Sequence, residues 1–225
     1  METTCTLAII GDGSVGKSSL IAAFRNDGFT KTYKQTVGCD FYEKPFILGE
    51  RNISLRVWDI GGQSMNSKNL PQYLSSSQVV FIVYDVTNPE SFANVDDWLR
   101  LVCEYSPQSR VHLVGNKVDL LANRRVSKDE HDNYVIRNPK FDSSFFMSAR
   151  TGENVVKAFY KCAAESVGIK LSAQELAYYD VVLKAHITNN QNDEARTDFA
   201  DQIEEEDRLA EERKRKKEKG TCICS

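Results

Sequence analysis

The chain has 225 residues, 41% of them apolar, and a formal net charge of −3, which suits one soluble domain with an appendage. That balance gives no overall attraction to nucleic acid. The longest apolar run, Val79–Tyr84, falls far short of the roughly 20 residues that a membrane-spanning helix needs.

Met1–Thr6 is polar and lacks the pattern of a secretory signal, and Glu2 stands where N-myristoylation needs glycine. A soluble cytosolic chain is therefore expected. Leu7–Ile10 reads as a short buried strand, Gly11–Gly16 as a glycine-rich turn and Lys17–Phe24 as a helix. Phe41–Leu48 and Ile53–Trp58 read as strands joined in a hairpin by Gly49–Asn52. Pro45 cannot donate to a ladder, which puts the first of these at a sheet edge or on a bulge.

Val79–Tyr84, Val111–Val114 and Phe145–Met147 are continuous apolar runs, as expected of strands buried on both faces. Ser91–Cys103 carries Phe92, Val95, Leu99 and Val102 at helical spacing. Asn154–Val167 places Val155, Phe159, Cys162, Ala163 and Val167 on one stripe closed by Gly168. The alternation predicts an α/β fold, a doubly wound, mostly parallel sheet with one antiparallel edge strand. Such sheets bind ligands beyond the carboxyl ends of their strands.

Residues 1–170 are assigned to this domain. Residues 171–187 are expected to add a helix, with Ser172 and Glu175 as a capping box. Residues 188–225 form a polar tail, mostly acidic over Gln202–Glu212 and mostly basic over Arg213–Lys219. Cys5, Cys39, Cys103 and Cys162 have no zinc-ligand spacing and read as reduced thiols, whereas Cys222 and Cys224 sit at the tail.

Gly11-Asp12-Gly13-Ser14-Val15-Gly16-Lys17-Ser18 matches a phosphate-binding loop between a strand and a helix. Its backbone N–H groups and the helix N-terminus favour phosphate, Lys17 reaches the outer phosphates, and the Ser18 hydroxyl suits Mg²⁺. This motif specifies a nucleoside triphosphate without choosing the base.

Asn116-Lys117-Val118-Asp119 follows a strand and makes that choice. The two oxygens of Asp119 match the adjacent N1–H and N2–H₂ donors of guanine, and adenine lacks that pair. Ser148-Ala149-Arg150 follows another strand, where the Ala149 N–H is expected to donate to guanine O6. Trp58-Asp59-Ile60-Gly61-Gly62-Gln63 supplies three roles. Asp59 suits Mg²⁺ through water, the Gly62 N–H senses a γ-phosphate, and Gln63 orients the attacking water. Thr36 in the loop before the second strand is placed to ligate Mg²⁺.

Together these motifs resemble the Ras superfamily of small GTPases over about residues 5–170, and within it the Rab family. Val37-Gly38-Cys39-Asp40-Phe41 and Val83-Tyr84-Asp85-Val86-Thr87-Asn88 carry the Rab resemblance. It implies a GTP hydrolase that recruits effectors in membrane trafficking, with exchange and activating proteins as regulators and a monomeric state. It adds Ser19, Phe29 and Tyr33 to the nucleotide contacts and makes Phe41, Trp58 and Tyr73 an effector-reading aromatic triad.

Most Rab proteins have Thr-Ala-Gly-Gln-Glu after the Asp59 position, and this chain has Ile60-Gly61-Gly62-Gln63-Ser64. Gly13-Ser14 also inverts the usual order, and both departures resemble the divergent Rab subgroup numbered twenty-eight. Gly61 is expected to loosen the loop in the GDP state. Arf-type GTPases share the Gly-Gly-Gln sequence and are the alternative, as is a nucleotide-binding module with negligible turnover. Cys222-Ile223-Cys224-Ser225 fits a farnesylation signal at Cys222, and the Rab resemblance leaves geranylgeranylation of both Cys222 and Cys224 as the alternative. With the basic Arg213–Lys219, it implies attachment to the cytoplasmic face of endomembranes, endosomal, cilium-associated or plasma membrane.

Overall fold

A computed structural model describes residues 2–25, 35–48 and 51–171. Among the described residues six strands form one sheet in the order β2-β3-β1-β4-β5-β6. They are β1 (Glu2–Ile10), β2 (Cys39–Leu48), β3 (Arg51–Ile60), β4 (Val79–Asp85), β5 (Arg110–Asn116) and β6 (Phe141–Phe146). All neighbours are parallel except β2 and β3. The edge position of β2 leaves the missing N–H of Pro45 without cost to an inner ladder.

The helices are α1 (Lys17–Arg25), α2 (Leu70–Ser75), α3 (Pro89–Ala93), α4 (Val95–Tyr105), α5 (Lys128–Arg137) and α6 (Val155–Ser166). Strand β4 is buried along its whole length, and its alternate residues serve two layers. Phe81 meets Phe159 of α6 at 5.1 Å, and Phe159 stacks on Phe24 of α1 at 4.5 Å. Val80, Ile82 and Tyr84 pack with Trp98, Leu99 and Val102 of α4 on the other face.

Several elements differ from their sequence reading, each for a physical reason. Strand β1 begins at Glu2 because its β-branched threonines continue the pairing with β3, from Glu2 opposite Asn52. The helix expected over Ser91–Cys103 is two helices that meet at Asn94, whose side chain is held by Asp12. The last strand is Phe141–Phe146, not Phe145–Met147, and it is a sheet edge rather than buried on both faces. Its half-buried Ser143 bonds His112 at 2.8 Å, so polar residues sit within the strand. Helix α5 is nearly devoid of a buried stripe and escapes a periodicity search; its signature is the capping box of Ser127 and Glu130.

Two buried histidines give the fold a pH dependence. His112 faces Ser143, and the Tyr84 hydroxyl lies 2.8 Å from His131 Nδ1. Burial pulls both imidazoles down to about 4. The unfolded chain, with imidazoles near 6.5, binds more protons between those values, so the contribution of the two neutral histidines to stability is complete above about pH 6.5 and is lost as pH falls toward 4. Urea midpoints should therefore drop from pH 7 to pH 5, with unfolding taking up close to two protons. A flat profile over that range would refute the neutral assignment.

Candidate functional site

The loop between β1 and α1 is shaped by backbone contacts that only glycine permits. A Cβ on Gly11 (φ +133°) would lie 2.1 Å from the Val83 carbonyl oxygen. A Cβ on Gly16 (φ +96°) would lie 2.4 Å from the side-chain amide nitrogen of Asn116. Within this loop Lys17 is buried, and its ammonium donates to the Gly11 and Asp12 carbonyls at 2.8 and 2.7 Å. Burial lowers its pKa to about 8, opposed by Asp59 and Asp12. A buried cation whose hydrogen bonds among the described residues go to two carbonyl oxygens is poised for an anion.

Asp12 anchors the loop from behind. Its carboxylate accepts from Asn94 Nδ2 at 2.7 Å and from Trp98 Nε1 at 2.9 Å. Asp12 belongs to the phosphate loop by sequence, but its two partners lie 82 and 86 residues away and leave no local pattern.

Three hydroxyl and carboxylate oxygens converge beside Lys17. Ser18 Oγ donates to Asp59 Oδ2 at 2.5 Å and lies 2.8 Å from Thr36 Oγ1. Asp59 is fully buried, and its Oδ1 has no partner among the described residues. Burial raises the Asp59 pKa, opposed by the Ser18 hydrogen bond and by Lys17. A buried acceptor without a donor, next to two further oxygens, fits a hard divalent cation with part of its water shell, as Mg²⁺ prefers.

The loops that carry Thr36 and Gln63 are joined. The Gly61 N–H donates to the Gly38 carbonyl at 2.9 Å, and Ser64 Oγ donates to the same oxygen at 3.2 Å. A Cβ on Gly61 would lie 2.4 Å from the Thr36 carbonyl oxygen, and one on Gly62 would lie 2.1 Å from the Gly13 nitrogen. The absence of a side chain at Gly61, expected to loosen this loop in the GDP state, also lets the two loops touch in this structure. Gln63 is exposed at the head of the turn Ser64–Asn66.

The base-side loops meet at Asn116, which is buried. Its Nδ2 donates to the Val15 carbonyl at 2.8 Å, and its Oδ1 accepts from the Ala149 N–H at 3.2 Å. That N–H was expected to face a base; here it binds the asparagine. Asp119 accepts from Ser148 Oγ at 2.6 Å, and Arg150 reaches its other oxygen at 3.8 Å. Phe41, Trp58 and Tyr73 form a continuous aromatic row, with centroids 4.7 and 5.1 Å apart and Phe41 exposed. Phe29, Tyr33, Cys222, all of the helix expected over residues 171–187 except Leu171, and the tail lie outside the described residues.

A glycine-rich turn from a parallel strand into a helix, with a buried lysine and an oxygen cluster beyond the strand ends, defines a P-loop nucleotide-binding domain. The family model of the Ras family matches residues 6–167. The Ras-related protein Rab-28 of Caenorhabditis elegans is 38% identical over 175 residues, covering 76% of this chain and 70% of that protein. The chain belongs to the Ras family, as a Rab-type small GTPase that binds guanine nucleotide and hydrolyses GTP. Members of this family use Mg²⁺ with the nucleotide and act through regulators and effectors. Among the described residues no helix is long and apolar enough to cross a membrane.

Proposed function

We propose that the chain is a hydrolytic switch in which the loops bearing Thr36 and Gln63 close on the phosphate loop when GTP is bound. The convergence of Ser18, Thr36 and Asp59 with the Gly62 approach to Gly13 carries this reading. Ser18 and Thr36 would hold Mg²⁺ directly and Asp59 through water, where the ion would neutralise phosphate charge. Gly13, Ser14, Val15, Gly16 and Ser19 offer backbone and hydroxyl donors, and Lys17 bridges the outer phosphates. Phe29 and Tyr33 complete the nucleotide contacts.

Asp119 reads the guanine edge, with Asn116, Lys117, Ser148, Ala149 and Arg150 shaping its pocket. Gln63 orients a water for attack on the γ-phosphorus. A new P–O bond forms, the bond to the β-phosphate oxygen breaks with its electron pair leaving on GDP, and the water proton ends on inorganic phosphate.

Gln63→Leu tests this directly. The residue acts on water and not on ground-state phosphate, so GTP affinity should stay within about twofold while hydrolysis falls by 10²-fold or more. Unchanged single-turnover hydrolysis would remove Gln63 from the mechanism.

The lipid assignment rests on residues outside the described ones. Cys222 is proposed to carry a farnesyl group, and Arg213–Lys219 to add the second contribution that stable attachment to an anionic leaflet requires. The protein would then work as a monomer on the cytoplasmic face of endomembranes, where Phe41, Trp58 and Tyr73 meet effectors. Intact mass of protein from its own cells reads this, and an unmodified Cys222 would refute it.

A further inference from the structure

We propose that Asp85 is a positioning residue for nucleotide binding, acting through Lys117. It rests on the reading that Asn116–Asp119 hold the base, and it adds a residue outside the phosphate, metal and base motifs.

Asp85 ends β4 directly opposite Asn116 in the parallel pair with β5. The next residue extends that tie, since the Val86 N–H donates to the Asn116 carbonyl at 3.1 Å. The Asp85 carboxylate is buried and each of its oxygens is used. Oδ1 accepts from the Thr87 N–H at 2.8 Å and from the Thr87 hydroxyl at 2.7 Å. Oδ2 takes the Lys117 ammonium at 2.6 Å. The Asp85 N–H is itself held by Ser91 Oγ at 3.1 Å. Both backbone and side chain of Asp85 are therefore fixed before Lys117 is considered.

Lys117 is the more exposed member of the pair. It is not glycine, yet its φ is +67°, the left-handed region that other residues rarely occupy. Such a conformation persists only where the surroundings hold it, and it recurs at ligand sites. One face of the residue is tied through the chain to buried Asn116, and the ammonium is tied to Asp85. The side-chain exposures, 32% for Lys117 and 9% for Asp85, place the pair mostly out of water, where charge pairing is screened less than at a surface. Asp85 thus fixes the stem of a lysine that lies between the two residues assigned to the base. Ligand release must then disturb a loop that has little freedom to relax.

Asp85→Asn keeps an oxygen for the two Thr87 donors and removes the charge facing Lys117. Release of a fluorescent GDP analogue in Mg²⁺, chased by excess GDP, should quicken about tenfold, equivalent to about 1.4 kcal/mol. Single-turnover hydrolysis of prebound GTP should be unchanged, a split that general destabilisation would not produce. Lys117→Met alone should also quicken release, and adding Asp85→Asn to it should give no further change.

An equal acceleration by Asp85→Asn in both backgrounds, or none in wild type, would overturn the proposal. If Lys117→Met leaves release unaltered, the base-loop reading fails instead, whatever Asp85→Asn does. Should Asp85→Asn not fold, Thr87→Val carries the test. It removes only the hydroxyl donor, and it should quicken release to a lesser degree with the same dependence on Lys117. No acceleration by Thr87→Val would likewise overturn the proposal.

Discussion

Asp119→Asn should lower GTP affinity by 10²- to 10⁴-fold and make xanthosine triphosphate the preferred ligand. Guanine presents two adjacent donors to the carboxylate. An amide offers one acceptor and turns its N–H₂ against the second donor, leaving buried polar groups unpaired, and such sites discriminate by factors of this order. Xanthine has a carbonyl where guanine has the amino group, and the amide N–H₂ then finds an acceptor. The fold should survive, because Asn retains an oxygen for Ser148 Oγ, the 2.6 Å contact that anchors the present carboxylate. Displacement of a fluorescent GDP analogue by GTP and by xanthosine triphosphate measures both affinities. A variant that still prefers GTP would remove Asp119 from base recognition.

Gly62→Ala should leave GDP affinity within about threefold and reduce GTP hydrolysis by 10²-fold or more, the cost of displacing a catalytic loop by about 1 Å. The added methyl would lie 2.1 Å from the Gly13 nitrogen and 2.3 Å from the Asp12 carbonyl carbon. These are backbone atoms, and the phosphate loop cannot retreat because Asn94 and Trp98 hold the Asp12 carboxylate. The segment bearing Gln63 must give way instead, breaking its contact with the phosphate loop. Normal single-turnover hydrolysis by this variant would show that closure against Gly13 is not part of turnover.

How far each feature could be read from sequence follows from whether its cause is local. The phosphate loop was legible because its glycines, lysine and serine are contiguous and each answers one geometric demand. Strand β4 was legible as an unbroken apolar run and β5 as an apolar run interrupted only by the buried His112, the pattern that burial on both faces imposes. Strand β6 was misplaced because it is an edge, and its Asp142–Ser144 stretch looks like a loop until His112 is found beside Ser143.

The division of the expected Ser91–Cys103 helix at Asn94 was invisible for a different reason: the residue's partner, Asp12, is remote in sequence. Gly61 shows the limit most clearly. Sequence allows only the inference that a side chain is missing, whereas its Cβ position against Thr36 shows what that absence permits. Asp85 belongs to the same class, since the parallel register of β4 and β5 is what brings it to Lys117.

The most direct measurement is competition for the bound nucleotide at saturating Mg²⁺. Protein loaded with fluorescent GDP is titrated with GTP and, separately, with ATP. We expect GTP to displace the probe at one equivalent per chain, with ATP without effect at a thousandfold excess, given the discrimination an unmatched polar edge provides. Displacement by ATP and GTP at comparable concentrations would contradict guanine-specific binding and, with it, the switch.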